Sequence, residues 1–108
     1  MNDTPAQGAP TADAVVTRND AASRYEIHVD GELAGFAKFI PDEGSIVFTH
    51  TETLEAFSGR GLGLALAKAA IAESVERDDL IVPLCPFFRR YLERNDVPGA
   101  RVHFPEAE

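Results

Sequence analysis

Tyr25, Ile27 and Val29 alternate with Glu26, His28 and Asp30. A period of two puts the three apolar side chains on one face of a strand. The Asp30-Gly31 pair at its end suits a two-residue hairpin, whose central positions need φ > 0. A returning strand over 33–40 is predicted next, then a turn at Pro41, Asp42, Glu43 and Gly44, then a strand over 45–51. A short strand over 14–18 precedes this meander, across a turn at 19–23. The period then changes. Residues 60–77 predict a helix rich in Ala and Leu, both strong helix formers. Leu62, Ala65, Leu66, Ala69 and Ala70 share a face, and Leu64, Ile71 and Val75 widen the apolar arc. Lys68, Glu73 and Glu76 are left for solvent. A helix this apolar is expected to lie across a sheet.

Asp78-Asp79 ends the helix, and residues 80–84 read as a short buried strand. Pro83 cannot donate a ladder bond, so this strand is expected at a sheet edge or parting from its neighbour there. Pro86 suits the first position of a second helix, over 86–95. Asp96, Val97, Pro98 and Gly99 stop it, and 100–104 would add a last strand. Strands first, then helices and strands mixed, define an α+β fold. It would be a mainly antiparallel sheet with one long helix and a shorter C-terminal helix.

Length and charge narrow the function. A chain of 108 residues is one small domain. We place it at 14–108, behind a polar, proline-bearing tail at 1–13 expected to be disordered. A hydrophobic content of 44% with seven Phe supports a folded globule. The net charge of −8 argues against nucleic acid or an anionic membrane as partner. An anionic ligand would therefore need local donors. The single cysteine, Cys85, forms no internal disulfide. No apolar run approaches the roughly 18 residues of a membrane span, and no basic-then-apolar leader opens the chain. A cytoplasmic location is expected. His28, His50, His103 and Cys85 show no metal-ligand spacing, so no metal is expected.

The chemistry concentrates at 58–63, Ser58-Gly59-Arg60-Gly61-Leu62-Gly63. Alternating glycines let backbone N–H groups approach a ligand closely, and the helix start beside them favours a phosphate. The plainer alternative is an ordinary strand-to-helix turn. Arg60 either pairs with a phosphate or stays a solvated loop cation. A Rossmann reading fails because Leu64 stands where Gly or Ala belongs and no acidic residue ends the next strand. No Walker lysine-serine pair is present. Cys85, just before Pro86, falls at a helix N-cap, a place that can activate a nucleophile, with Arg89 four residues on. It could equally be a buried structural thiol. His50, on the strand before the loop, could serve as a general base, with Glu52 as the alternative. It could also be a buried histidine bonded to backbone. Phe87, Phe88 and Tyr91 read first as core, and His28 and His103 as surface residues.

The strand at 46–51, the loop at 58–63 and the helix after it resemble the pyrophosphate-binding motif of the GNAT superfamily of N-acetyltransferases. Its pattern is Gln/Arg-x-x-Gly-x-Gly/Ala. Gly61 and Gly63 occupy the glycine positions, and Ser58 stands where Gln or Arg is usual. The chain is closer to a small group of minimal GNAT-like proteins. These carry Phe-x-His-Thr, a Gly-(Lys/Arg)-Gly-(Leu/Ile)-(Gly/Ala) loop, and Val-x-Pro-x-Cys-Pro-Phe. Here those are Phe48-Thr49-His50-Thr51, residues 59–63, and Val82-Pro83-Leu84-Cys85-Pro86-Phe87, with Tyr91 one turn on. The usual His-Pro-Glu-Tyr is replaced by Asn95-Asp96-Val97-Pro98.

The resemblance implies a truncated GNAT-like fold and acetyl-CoA as acyl donor. Coenzyme A would be held by Ser58, Gly59, Arg60, Gly61, Leu62 and Gly63, and an amine would be the acceptor. It also implies a catalytic role for Cys85. The acetyl group would pass to the amine directly or through Cys85. Full-size members insert two helices between the first two strands; here only 19–23 separates them, which implies an open, shallow acceptor side suited to a large or extended acceptor such as a protein or peptide. A non-catalytic coenzyme A-binding or acyl-CoA-binding module, or a protein-interaction module on the same fold, is the alternative. Polyamine, lysine side chain, N-terminus and small metabolite all remain open as acceptor.

Overall fold

The computed structural model describes residues 14–105; the tail expected at 1–13 lies outside the described residues. In chain order the elements are β1 (Ala14–Asn19), β2 (Arg24–Val29), β3 (Glu32–Asp42) and β4 (Ser45–Thr53). A 3-10 turn (Glu55–Phe57) leads to α1 (Leu62–Glu76), then β5 (Leu80–Pro83), α2 (Pro86–Arg94) and β6 (Arg101–Val102). The six strands form one sheet in sequence order. The first four run antiparallel, and β5 and β6 join parallel.

The hairpin chemistry at Asp30-Gly31 is realised, with φ of 52° and 84° at the two positions. The next turn is tighter than expected. Pro41 and Asp42 remain in β3, paired with Ile46 and Ser45, and the bend is made by Glu43 and Gly44. On β3, pairing with β2 stops at Lys38, so Pro41 has a strand on one side only. Its missing N–H then costs no ladder bond on the open side.

The connections from β4 to β5 and from β5 to β6 step the same way across the sheet. With the usual right hand for parallel crossovers, both helices fall on one face. Their contacts agree. The Tyr25 hydroxyl reaches Glu73 on α1, and Phe48 stacks on Phe88 of α2 at 4.3 Å between centroids. Tyr25 and Phe48 lie on the same face, 6.2 Å apart. The core fills this side, with Ile27, Phe39, Ile46, Leu62, Leu66, Ile71 and Ile81 all buried. Among the described residues no helix covers the other face, where Arg24 lies over Phe36 and Phe36 meets His50. No described helix is long and apolar enough to cross a membrane.

The fold decides one either-or expectation and corrects another. The strand before Pro86 is not a sheet edge, because β6 pairs alongside Leu80 and Ile81. Pro83 lies beyond that pairing and marks where β5 leaves β4, the other option its missing donor allowed. Glu73 does not face solvent freely. It accepts the Tyr25 hydroxyl at 2.5 Å, while Arg18 Nη1 donates to the same phenol oxygen at 3.1 Å.

Burial of Tyr25, assisted by the hydrogen bond to Glu73, pushes its phenol up to about 12. The unfolded chain releases that proton near pH 10, the ordinary tyrosine value. This contribution is therefore full below pH 10 and is lost as pH rises toward 12. It can reach about 3 kcal/mol. Denaturant unfolding of the wild type should show this alkaline loss, and Tyr25→Phe should lack it. Identical pH profiles would refute the assignment.

Candidate active site

Strand β4 changes phase in its middle. Phe39 pairs with Phe48, and Lys38 pairs with His50, so Thr49 has no partner. The extra residue is a β-bulge. Without it, Phe48 and His50 would share a face. With it, Phe48 and Thr51 do: Thr51 pairs with buried Ala37, on the helix side. His50 and Glu52 are turned to the open face.

The bulge sits where the sheet divides. Strand β5 accompanies β4 only as far as Phe48 opposite Pro83. The Phe48 carbonyl then accepts two N–H groups, from Leu84 at 3.0 Å and from Cys85 at 2.9 Å. The chain turns there into α2, with Cys85 as its N-cap and Pro86 as its first residue. Residues 49–53 keep β3 as a neighbour and have no strand on the other side. The start of α2 takes the place of a strand beside them.

Cys85 lies where the strands part, 3% exposed, its Sγ 3.1 Å from Thr51 Oγ1. Either atom can be the donor. His50 is not brought to Cys85. Its Nε2 lies 3.2 Å from Glu52 Oε1, and more than half of its side chain is exposed. It is therefore not the buried, backbone-bonded histidine of the plainer reading. It forms an exposed imidazole–carboxylate pair on the other side of β4.

The glycine loop comes after the end of β4. Gly59 and Gly61 have φ of 80° and 73°, a region that strains residues with a Cβ. Gly61 is the N-cap of α1, and no side chain caps it. The N–H groups of Gly59, Arg60, Gly61, Leu62, Gly63 and Leu64 find no acceptor among the described residues. Unpaired amides beside a helix start are able to hold an anion, with the helix dipole adding to the attraction. Gly63 keeps the floor low: a Cβ there would stand 3.3 Å from the Phe87 ring and 3.5 Å from Thr53 Oγ1. Ser58 is turned away, its Oγ donating to the Glu55 carbonyl at 3.0 Å. The Arg60 guanidinium rests 5.3 Å from the centre of the Phe57 ring, and Phe57 itself is buried. The 3-10 turn thus anchors the loop from below. Among the described residues no cluster of His, Cys, Asp or Glu could hold a metal.

A profile of the GCN5-related N-acetyl-transferase family matches residues 24–100. The chain belongs to this family. The match runs from β2 past α2 and includes both the loop and Cys85. Protein NATD1 of Xenopus tropicalis is 41% identical over 49 residues, 45% of each chain. Protein NATD1 of Gallus gallus is 37% identical over 54 residues, 50% of this chain and 49% of its own. The matched stretch thus spans about half the length of these relatives. Among solved structures, a GCN5-like protein from Staphylococcus aureus superposes with a TM-score of 0.64 at 20% identity, over 87% of this chain and 92% of its own. A ribosomal-protein-alanine N-acetyltransferase from Brucella melitensis biovar Abortus gives 0.53 at 21% identity, over 75% and 69%. At these identities the likeness speaks to the fold: a GNAT-like mixed sheet of six strands with two helices.

Sequence reasoning missed Thr51 and Thr53 as candidates, which face the helix side of β4 beside Cys85 and Gly63. The one available signal was Thr49-His50-Thr51, where apolar alternation lapses just after Phe48. Such a lapse marks a bulge only once the partner strand is known.

The loop makes a prediction that needs no ligand. Gly61→Ala places a Cβ in the left-handed region and should cost about 1–2 kcal/mol. Gly61→Asn should cost less, because Asn tolerates that conformation. Urea midpoints should rank Gly above Asn above Ala. Equal midpoints would mean the loop relaxes out of this conformation.

Proposed function

We propose that this chain transfers the acetyl group of acetyl-CoA to an amine that approaches from the open face of the sheet. The family uses acetyl-CoA as donor. The reading rests chiefly on the unpaired amides of residues 59–64 at the start of α1. Two phosphates linked head to tail present enough acceptor oxygens for such a row of donors. Gly59, Arg60, Gly61, Leu62 and Gly63 would act mainly through their backbone. Ser58 would act indirectly, by closing the turn below them.

The transfer forms a bond between the amine nitrogen and the acetyl carbonyl carbon, and breaks the bond from that carbon to sulfur. The electron pair leaves with the sulfur of coenzyme A. The amine must lose a proton and the departing sulfur must gain one. The two sides of β4 offer a group for each task. His50, paired with Glu52, is a base on the open face. Cys85, whose thiol shares a hydrogen bond with the Thr51 hydroxyl, would be the donor on the helix face. The divergence of β4 and β5 connects the two. Direct attack suits this arrangement better than an acetyl-cysteine. Among the described residues no basic side chain is hydrogen-bonded to the Cys85 thiol, whose partner is the Thr51 hydroxyl. The open face also suits a bulky or extended acceptor, and Glu52 beside His50 suits a cationic one.

A thermal melt with acetyl-CoA and coenzyme A tests the cradle. A ligand at about 100 times its Kd adds about 2.7 kcal/mol. That should raise the melting temperature by roughly 10 °C or more in a domain of this size. No rise with either at millimolar concentration would sink the reading. Turnover on an amine panel tests the chemistry. Cys85→Ala should lower kcat by about 100-fold, with Cys85→Ser keeping part of that loss back. Intact-protein mass after mixing with acetyl-CoA should stay unchanged. An acetyl adduct that disappears in Cys85→Ser would replace direct attack with the covalent route.

A further inference from the structure

Beside the glycine loop lies a groove of about 200 Å³, lined by Leu64, Phe87, Arg90, Tyr91, Arg94 and Asn95. It begins at the first turn of α1 and runs along α2 away from Cys85. A rise of 1.5 Å per residue carries Arg94 about 13 Å beyond Cys85 along the helix axis. The groove is continuous with the loop through Phe87, the ring that closes against Gly63.

Its floor is apolar and open to solvent. Leu64 is 47% and Phe87 36% exposed. Its rim is cationic. Arg90 and Arg94 stand one turn apart, on the same side of α2. Neither makes a salt bridge among the described residues, whereas Arg18, Arg24, Arg77, Arg89 and Arg101 each have a carboxylate. The nearest acid on α2, Glu93, is held by Arg89. In a chain of net charge −8, two adjacent guanidinium groups without a carboxylate are an uncommon arrangement. They repel each other unless a multiply charged anion lies between them. A phosphate monoester is such an anion, close to doubly charged at neutral pH, and the planar guanidinium fork fits its oxygens.

We propose that this groove receives the nucleotide end of coenzyme A, with the adenine on Leu64, Phe87 and Tyr91 and the ribose 3′-phosphate between Arg90 and Arg94. The inference rests on the reading of the loop as a diphosphate cradle. The order of parts along the molecule agrees: thioester toward Cys85, diphosphate at the loop, phosphorylated nucleoside beyond it along α2. The two arginines then contact the one group that separates coenzyme A from its 3′-dephospho form, and they make the chain selective for the phosphorylated carrier.

Calorimetric titration of the full chain with coenzyme A and with 3′-dephospho-coenzyme A tests this. The wild type should bind coenzyme A about tenfold tighter or more. The double variant Arg90→Gln, Arg94→Gln should bind both ligands alike, at the wild type's affinity for the dephospho form. Both side chains are exposed, so its melting temperature should match the wild type. Equal affinities in the wild type, or a preference that survives in the double variant, overturns the inference and leaves the cradle standing. Absence of binding by either ligand overturns both.

Discussion

One carbonyl oxygen organises the centre of this protein. The Phe48 oxygen accepts the N–H groups of both Leu84 and Cys85. In a regular parallel pair each carbonyl facing the partner serves one donor, and successive bonds are evenly spaced along the strands. Here the ladder ends on a shared acceptor, and the strands part. Pro83 makes that ending natural, since it has no N–H to continue the ladder. Pro86 makes the next helix start at once. Two prolines on either side of Cys85 therefore set a sharp exit from the sheet. The stacked pair Phe48 and Phe88 holds that exit against the core.

The bulge at Thr49 is the second half of the same device. It lies next to the shared acceptor and turns the rest of β4 by one residue. Beyond it, Thr51 and Thr53, small and polar, face the helices, and His50 and Glu52 face the open side. Two small hydroxyl side chains and an imidazole–carboxylate pair are thereby divided between the two sides of one strand. A one-residue change in register has this effect because side chains alternate with a period of two. Gly35 supports the end of β4 from the neighbouring strand. A Cβ there would lie 2.8 Å from the Glu52 carbonyl, so the close approach of β3 to this part of β4 requires glycine.

Much of this was legible in the sequence, for identifiable reasons. The hairpin at Asp30-Gly31, the break at Asp78-Asp79 and the proline start of α2 are local, and local chemistry determines them. The long helix was readable, though its first two expected residues, Arg60 and Gly61, belong to the loop that precedes it. The family resemblance rested on three short segments, and the profile match covers all three. The features that could not be read depend on partners distant in the chain. Thr49 is a bulge only because Lys38 and Phe39 count one residue fewer. Glu73 looks solvent-facing on a helical wheel, yet Tyr25, 48 residues earlier, meets it. β6 turns β5 into an inner strand through two residues, Arg101 and Val102, too few to leave a periodic signal.

The separation of Cys85 from His50 bears on how such a small domain could work at all. Among the described residues, nothing covers the face that carries His50, Glu52 and Phe36. An acceptor reaching it would keep most of its own hydration and find few walls to orient it. In the proposed reaction a buried donor on the opposite side would ask little of the acceptor, because it would act on the leaving sulfur. The chain would then place its precision where the carrier binds, in loop amides fixed by Gly59 and Gly61 and in a thiol held by Thr51. Positioning the amine would be left to the acceptor's own bulk. On the proposed mechanism such a domain would tolerate a shallow acceptor side, because the parts that would have to be rigid are all attached to α1, α2 and the divided end of β4.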